Sequence, residues 1–336
     1  YEEHCELFFK LFRLYEKSPD AQVDILERLY KLHIENGFPY EASSVSIVQA
    51  SIIFENLTVW GKTTNYFILS HPCLVFKENC GLCASVQCPD SYLKNPPNVP
   101  GFCDSFMFNE QGMVSLLYRA LEDCTQGKVL KLASMLLDLC WPIFEYWKSY
   151  NELQVMFSRF KDIYSSIDED AEDQDAFADR FFRVTFYGQK LKDMDGKTYI
   201  YRQKPLTHLY DFTNNIKSKY AEMYGKDNIV QISESGKVDT SKLDLVNKVY
   251  IQITFVEPYA RGSKEKVNDN YTQFFYDTPF VKSDDNSNTV VNKAHQATMD
   301  KQWIRKTILT TQFELPSVLI RSEVNPSSIV EKDMEP

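Results

Sequence analysis

A chain of 336 residues that is 43% hydrophobic and 14% aromatic can bury a sizeable core and form two domains, which excludes disorder throughout. Its formal charge of -10 weighs against nucleic acid, because displacing counterions from a phosphate backbone takes a basic stripe. The most apolar window, Leu130–Phe144, is cut by Lys131 and Asp138, so no membrane span and a soluble chain are predicted.

Tyr1 opens inside an apparent helix without an initiator methionine or a signal-peptide pattern, as expected of a piece of something longer. Leu7, Phe8, Leu11, Phe12 and Tyr15 recur at helical spacing and predict an amphipathic helix to Lys17. Ser18-Pro19-Asp20 then supplies a cap and a first-turn proline for a second helix with Ile25, Leu26, Leu29, Tyr30 and Leu32 as its stripe. A third helix, Tyr40 to Asn56, carries Ala42, Ser43, Ser44, Ser46, Ala50 and Ser51, small enough to let a neighbouring helix approach closely.

Trp60 to Gly101 reads as a long loop rich in Cys, Pro, Gly and Asn. Its Cys80-Gly81-Leu82-Cys83 has the spacing of a tetrahedral zinc site, which Cys88 or Cys103 could complete. A second such pair and a paired-histidine motif are missing, so unpaired thiols are the preferred reading and no metal or other cofactor is expected. Helices follow at Glu110–Cys124, Lys128–Trp147 and Asn151–Ile167. Their expected core is Leu116, Leu117, Leu121, Leu132, Leu136, Leu139, Ile143, Val155, Phe160 and Ile163, with a kink at Pro142. The acidic run Asp168–Asp175 lacks the glycine and the terminal glutamate of a calcium loop and reads as a solvated linker.

Beyond it the period switches from helical to alternating. Phe181–Tyr187 and Lys197–Arg202 predict a hairpin turning through Asp195-Gly196, and Thr207 is placed to cap a helix with Leu209, Phe212, Ile216, Tyr220 and Met223 on one face. Further strands are predicted at Asn228–Ser233, Val249–Val256, Thr272–Tyr276, Lys306–Phe313 and Val318–Val324, with Ser283–Asn292 as an excursion. In Lys248–Tyr259, Val249, Ile251, Ile253 and Phe255 alternate with Tyr250, Gln252, Thr254 and Val256, as in a strand deep in a sheet, and Glu257-Pro258 should end it. The fold class is α+β: an N-terminal lobe of antiparallel helix pairs, then a mostly antiparallel β lobe with one main helix. No phosphate-cradling loop, nucleophile elbow or paired-histidine motif is present, and His33, His71, His208 and His295 read as ordinary surface or core residues. A binding or regulatory protein remains.

Phe181-Phe182-Arg183-Val184-Thr185-Phe186-Tyr187-Gly188, Lys248–Tyr259, Phe275–Phe280 and Arg305–Thr311, in that order and spacing, resemble the second DOCK-homology region of the dedicator-of-cytokinesis family. Ser18-Pro19-Asp20 and Trp141-Pro142-Ile143-Phe144-Glu145 resemble its helical lobe, and the likeness is nearest to the Zir subgroup. The resemblance implies a guanine-nucleotide exchange factor for a Rac-like or Cdc-type Rho GTPase, with no covalent chemistry and no catalytic residue to assign. It implies a helical lobe A that dimerises, a lobe B of two sheets, and a helical lobe C that grips the GTPase with lobe B and carries the nucleotide sensor. On this footing 1–167 is expected to be lobe A, 168–179 a linker, 180–330 lobe B and 331–336 the start of lobe C. The segment itself would be weak or inactive in exchange. The partners implied are a Rho-family GTPase and a second copy through the helical lobe. A cytoplasmic protein is implied, with recruitment to the plasma membrane through regions outside this chain. Phe275, Tyr276, Thr278, Phe280, Arg305 and Thr307 are the expected GTPase contacts, an aromatic cluster beside an arginine being the composition interfaces favour. The competing class is a helical scaffold with a β-rich protein-binding module.

Overall fold

The computed structural model describes residues 1–59, 103, 105–127, 130–169, 179–259, 271–280 and 303–334. Cys80, Cys83, Cys88, His71, His295, most of the acidic run and Ser283–Asn292 lie outside them. Among these residues the helices are α1 (Glu2–Leu14), α2 (Pro19–Glu35), α3 (Pro39–Val59), α4 (Glu110–Gln126), α5 (Leu130–Tyr146) and α6 (Tyr150–Glu169). One compact unit holds Tyr1–Gln174 and Pro316–Leu319; the other holds Asp175–Lys266, Tyr271–Leu315 and Ile320–Pro336.

In α1 the hydrophobic run Leu7-Phe8-Phe9 with Leu11-Phe12 offers two overlapping stripes, and packing selects Cys5, Phe9 and Phe12. Leu7 and Tyr15, expected inside, are 55% and 48% exposed. Pro19 starts α2 as expected, but Ser18 makes no side-chain cap; Asp20 instead accepts the backbone N–H groups of Cys103 and, at 3.0 Å, Ser105. The small residues of α3 are buried as foreseen, and α4 is its principal neighbour. Their hydroxyls cost little in the core because they are satisfied within the helix, Ser43 by the Tyr40 carbonyl at 2.7 Å and Ser51 by that of Val48 at 2.8 Å. Asn109 caps α4 by accepting the Gly112 N–H at 2.8 Å. Helix α5 continues through Pro142. In α6 Ile163 is buried as expected, together with Met156, while the neighbouring Val155, assigned to the core, is 46% exposed.

The second unit carries β1 (Arg180–Tyr187), β2 (Thr198–Gln203), α7 (Leu209–Tyr224), β3 (Ile229–Ile232), β4 (Val249–Pro258), β5 (Tyr271–Phe280), β6 (Trp303–Leu315), β7 (Arg321–Glu323) and β8 (Val330–Met334). Strand order is β7-β2-β1-β4-β5-β6-β8, antiparallel except that β3 joins β4 in parallel. β4 pairs with β1 along most of its length and touches β5 only through Glu257 and Pro258, so it links an inner group of strands to an outer one. The proline comes at the end of the strand and does not break it.

Val249, Ile251, Ile253 and Phe255 form the face expected of β4 and pack with Phe182, Phe186, Tyr201, Phe212, Ile216 and Tyr220 under α7. The opposite face of the inner strands gives Phe181, Ile200 and Val256 to a second cluster with Phe274, Leu309 and Leu315. Leu209 and Met223 are not in the α7 interface, being 43% and 54% exposed, and Thr207 does not cap the helix: its hydroxyl donates to the Lys204 carbonyl at 2.8 Å. The β1–β2 connection is longer than a tight turn and includes a 3-10 segment, Gln189–Met194. Gly188 opens it at φ 136°, where a Cβ would stand 2.6 Å from the Lys248 carbonyl oxygen, so glycine is required. The strand foreseen at Val318–Val324 is shorter, with only Arg321–Glu323 in β7 and a bridge from Val324 to Thr311. Glu331–Met334, expected to lead into a further lobe, instead pair with β6 as the outermost strand.

Candidate functional site

Strands β5, β6 and β8 bring the expected contact residues together. In an antiparallel ladder residues directly opposite share a face. Tyr276 lies opposite Thr307, Thr278 opposite Arg305 and Phe280 opposite Trp303, so five of the six expected residues occupy one face. Phe275 lies on the other, opposite Ile308. Spacing alone could not separate them, since the sequence run Phe274-Phe275-Tyr276 supplies both faces.

The first face is closed. Thr278, Phe280 and Thr307 are buried, so as placed they pack the lobe rather than present themselves to a partner. Arg305 is committed: its Nε donates to Asp333 at 2.8 Å, a terminal nitrogen reaches the same carboxylate at 3.3 Å, and Glu331 lies 3.5 Å away. The Phe280 ring lies 4.8 Å beneath the guanidinium carbon. Arg305 therefore fastens β8 to β6. Tyr276 is fastened too, by Arg183, whose guanidinium lies 4.3 Å from the ring centroid and donates to the hydroxyl at 2.5 Å. Arg183 also donates to the Ser235 carbonyl at 2.8 Å and to Thr254 at 2.9 Å. Burial disfavours its charge, while the neighbouring Tyr276 works in the opposite direction.

The second face is open at its outer end. Ile304, Val330 and Met334 are 39%, 46% and 39% exposed on adjacent strands, with Phe275 half-buried beside them. Two cations punctuate this surface: Lys306, whose ammonium stands 3.9 Å over the Phe275 ring and 3.9 Å from Asp277, and Lys332 directly opposite Lys306 on β8. An apolar strip with lysines along it can receive a partner that brings apolar and acidic groups. Sequence reading found Phe275 but missed Ile304, Val330, Met334, Lys306 and Lys332. The signal available was the alternation of Val330, Lys332 and Met334, hidden because Glu331-Lys332-Asp333 reads equally well as the start of a helix.

Among the described residues no group of three or more His, Cys, Asp or Glu could hold a metal, and Cys103 is half-buried. Cys5, Cys124 and Cys140 are buried, and burial pushes each thiol up to about 12, so these thiols stay protonated. His33 is buried with Nδ1 2.6 Å from the Tyr1 hydroxyl, and burial pulls its imidazole down to about 4, which suits a neutral core residue. His208 stands at the start of α7 without a side-chain cap. No helix among the described residues is long and apolar enough to cross a membrane.

Two family models match the chain: one described as DHR-2, Lobe A over residues 6–169, and one described as DHR-2, Lobe B over residues 235–314. Dedicator of cytokinesis protein 7 of Homo sapiens is 27% identical over 327 residues, covering 95% of this chain and 15% of that protein. Dedicator of cytokinesis protein 6 of Mus musculus is 28% identical over 327 residues and protein 8 of Homo sapiens 27% over 326, with the same coverage. The chain thus spans about 15% of the length of these relatives. The lobe A match falls on the helical unit and the lobe B match on β4, β5 and β6, and the chain belongs to the dedicator-of-cytokinesis family, of whose DHR-2 region it carries lobes A and B.

Proposed function

We propose that the chain is part of a guanine-nucleotide exchange factor for a Rho-family GTPase of the Rac-like or Cdc type, and that the open face of β5, β6 and β8 receives the GTPase. The observation that carries this reading is the exposed strip of Ile304, Val330 and Met334 beside Phe275, with Lys306 and Lys332, on the lobe B sheet of a DHR-2 chain. The physical logic is linkage: a protein that binds the nucleotide-free GTPase more tightly than the loaded form must weaken nucleotide binding by the same factor. No bond is made or broken by the factor. Arg305 and Tyr276 support this surface from behind, and Thr278, Phe280 and Thr307 pack beneath it.

Pull-down by residues 1–336 of a Rac-like or Cdc-type GTPase stripped of nucleotide tests the reading, with capture expected to fall when GDP and magnesium are restored. Equal capture in both states, or none in either, would overturn it. Because the matched models are those of lobes A and B, these residues by themselves should hold the GTPase without accelerating GDP release to the rate of a complete exchange region. Release of a fluorescent GDP measures that directly.

The reading extends to a homodimer through the helical lobe. Trp141, Phe157, Phe160 and Tyr164 on α5 and α6 line a slot of about 480 Å³ with Asp138 and Lys161 among its walls. Phe157, its ring 4.2 Å from Trp141, is 58% exposed. Opposite charges within one apolar slot suit a two-fold contact, in which Asp138 of each copy meets Lys161 of the other. Sedimentation of Phe157→Glu should show monomer where the parent shows dimer; a parent that sediments as a monomer at micromolar concentration removes this part.

A further inference from the structure

Asp123, on α4, is only 5% exposed, and its surroundings suit an acid better than a carboxylate. One oxygen accepts the Tyr30 hydroxyl of α2 at 3.5 Å, a long bond, and the other has no partner. The nearest cation, Arg119 one turn earlier on α4, is committed elsewhere. Its Nε donates to Ser46 at 3.0 Å and its terminal nitrogens to Glu27 at 2.9 Å and Gln49 at 2.7 Å, with the guanidinium carbon 3.8 Å over the Tyr30 ring.

Position in the helix works the same way. α4 ends at Gln126, so Asp123 sits in the last turn, where unpaired carbonyls make the local field negative and disfavour an anion. Glu122 beside it adds a like charge, Glu27 of α2 is the acid that Arg119 already serves, and Cys124 stays a neutral thiol. From α3 come the neutral Ser43, Ser46 and Gln49, and α5 adds no charge acting on Asp123 among the described residues. Burial is the largest influence, ahead of the opposing Tyr30 and Arg119, and lifts the carboxyl to about 6.

We propose that Asp123 is a proton-operated latch at the end of α4: in acid the folded helical lobe holds it in the neutral form, and its ionisation toward neutrality draws the last turn of α4 toward water. A group held protonated in the folded state and ionised in the unfolded one makes stability fall as pH rises. The fall runs from the ordinary carboxylate value of 3.8 to about 6 and then levels off. Acidification from neutrality therefore tightens this end of the lobe.

The experiment is a pH series on residues 1–336 by infrared difference spectroscopy and hydrogen exchange. A carboxylic-acid carbonyl band present at about pH 5, absent from Asp123→Asn and lost with a midpoint near 6, is expected, together with faster exchange over residues 121–126 above that midpoint. In thermal unfolding, Asp123→Asn should gain on the parent across the same window and hold a constant advantage above it. Tyr30→Phe provides a second arm: removing a hydroxyl that favours the carboxylate should move the midpoint up, an effect loss of packing alone would not produce. A midpoint in the ordinary carboxylate range in the parent, or one that Tyr30→Phe leaves in place, overturns the proposal.

Discussion

The inner and outer strands of the β unit are made of similar residues and serve different ends. β1, β2 and β4 are covered on both faces: Phe182, Phe186 and Ile251 pack under α7, while Phe181, Ile200 and Val256 join Phe274 and Leu309 on the other side. β8 lies at the end of the strand order with every residue exposed, and one face of its neighbour β6 opens beside it at Ile304. A strand covered twice can only be scaffold, because any side chain added to it displaces packed neighbours. A strand covered once can offer its other face to a partner without disturbing the core. Motifs that identify a family and residues that touch a partner are therefore different sets. Here the Arg183 and β4 motifs belong to the scaffold, and the open strip lies partly outside any motif.

Substitutions graded by depth should reproduce this contrast. The largest effect belongs to Phe182→Ala, which empties a ring site stacked 4.6 Å from Phe212 at the centre of the inner cluster. It should cost about 3–5 kcal/mol in denaturant unfolding, and a smaller loss would mean that α7 collapses into the cavity. Gly188→Ala comes next, at about 2–3 kcal/mol, since the alanine must leave φ 136° or push back the Lys248 carbonyl. Comparing it with Gly196→Ala, also at positive φ but with open space around its Cβ, separates the collision from the backbone strain.

The outer face should respond in binding and not in stability. Ile304→Lys or Met334→Lys is expected to leave unfolding within about 0.5 kcal/mol of the parent. The same changes should lower affinity for a nucleotide-free GTPase by about tenfold or more. Binding untouched by both, with Phe275→Ala also silent, would move the partner to another surface. Smallest is Arg305→Ala. Its contacts with Asp333 and Glu331 are partly exposed and screened, so their loss should cost under about 1 kcal/mol. The change should still appear as faster hydrogen exchange across Val330–Met334, the strand those contacts hold.

Much of the fold was legible from period and punctuation. The small-residue face of α3 meant a close helix neighbour, and the alternation of β4 meant a strand buried on both sides. Both followed from residue size and the twofold repeat of a strand, which are local properties. Errors came where local pattern was degenerate. Leu7 and Tyr15 lost to Cys5, Phe9 and Phe12 because α1 is apolar around most of its circumference, and only a neighbour can choose the inward stripe. Val155 lost to Met156 for the same reason. The candidate site was half legible. Phe275 and Arg305 could be named from composition, but their placement on opposite faces depends on the register of β5 against β6.

By itself the sequence determined the change from helical to alternating period, the class of the fold and the run of motifs shared with the family, all carried by residue type at short spacing. Tertiary structure alone decided what register and burial control. It closed one face of β5 and β6 and left the other open, made β8 from residues that read as a helix start, and gave Arg305 to Asp333. It also buried Asp123, and that burial favours its proton. Each of these depends on which distant strand or helix arrives as neighbour, and a short window of sequence does not contain its neighbours.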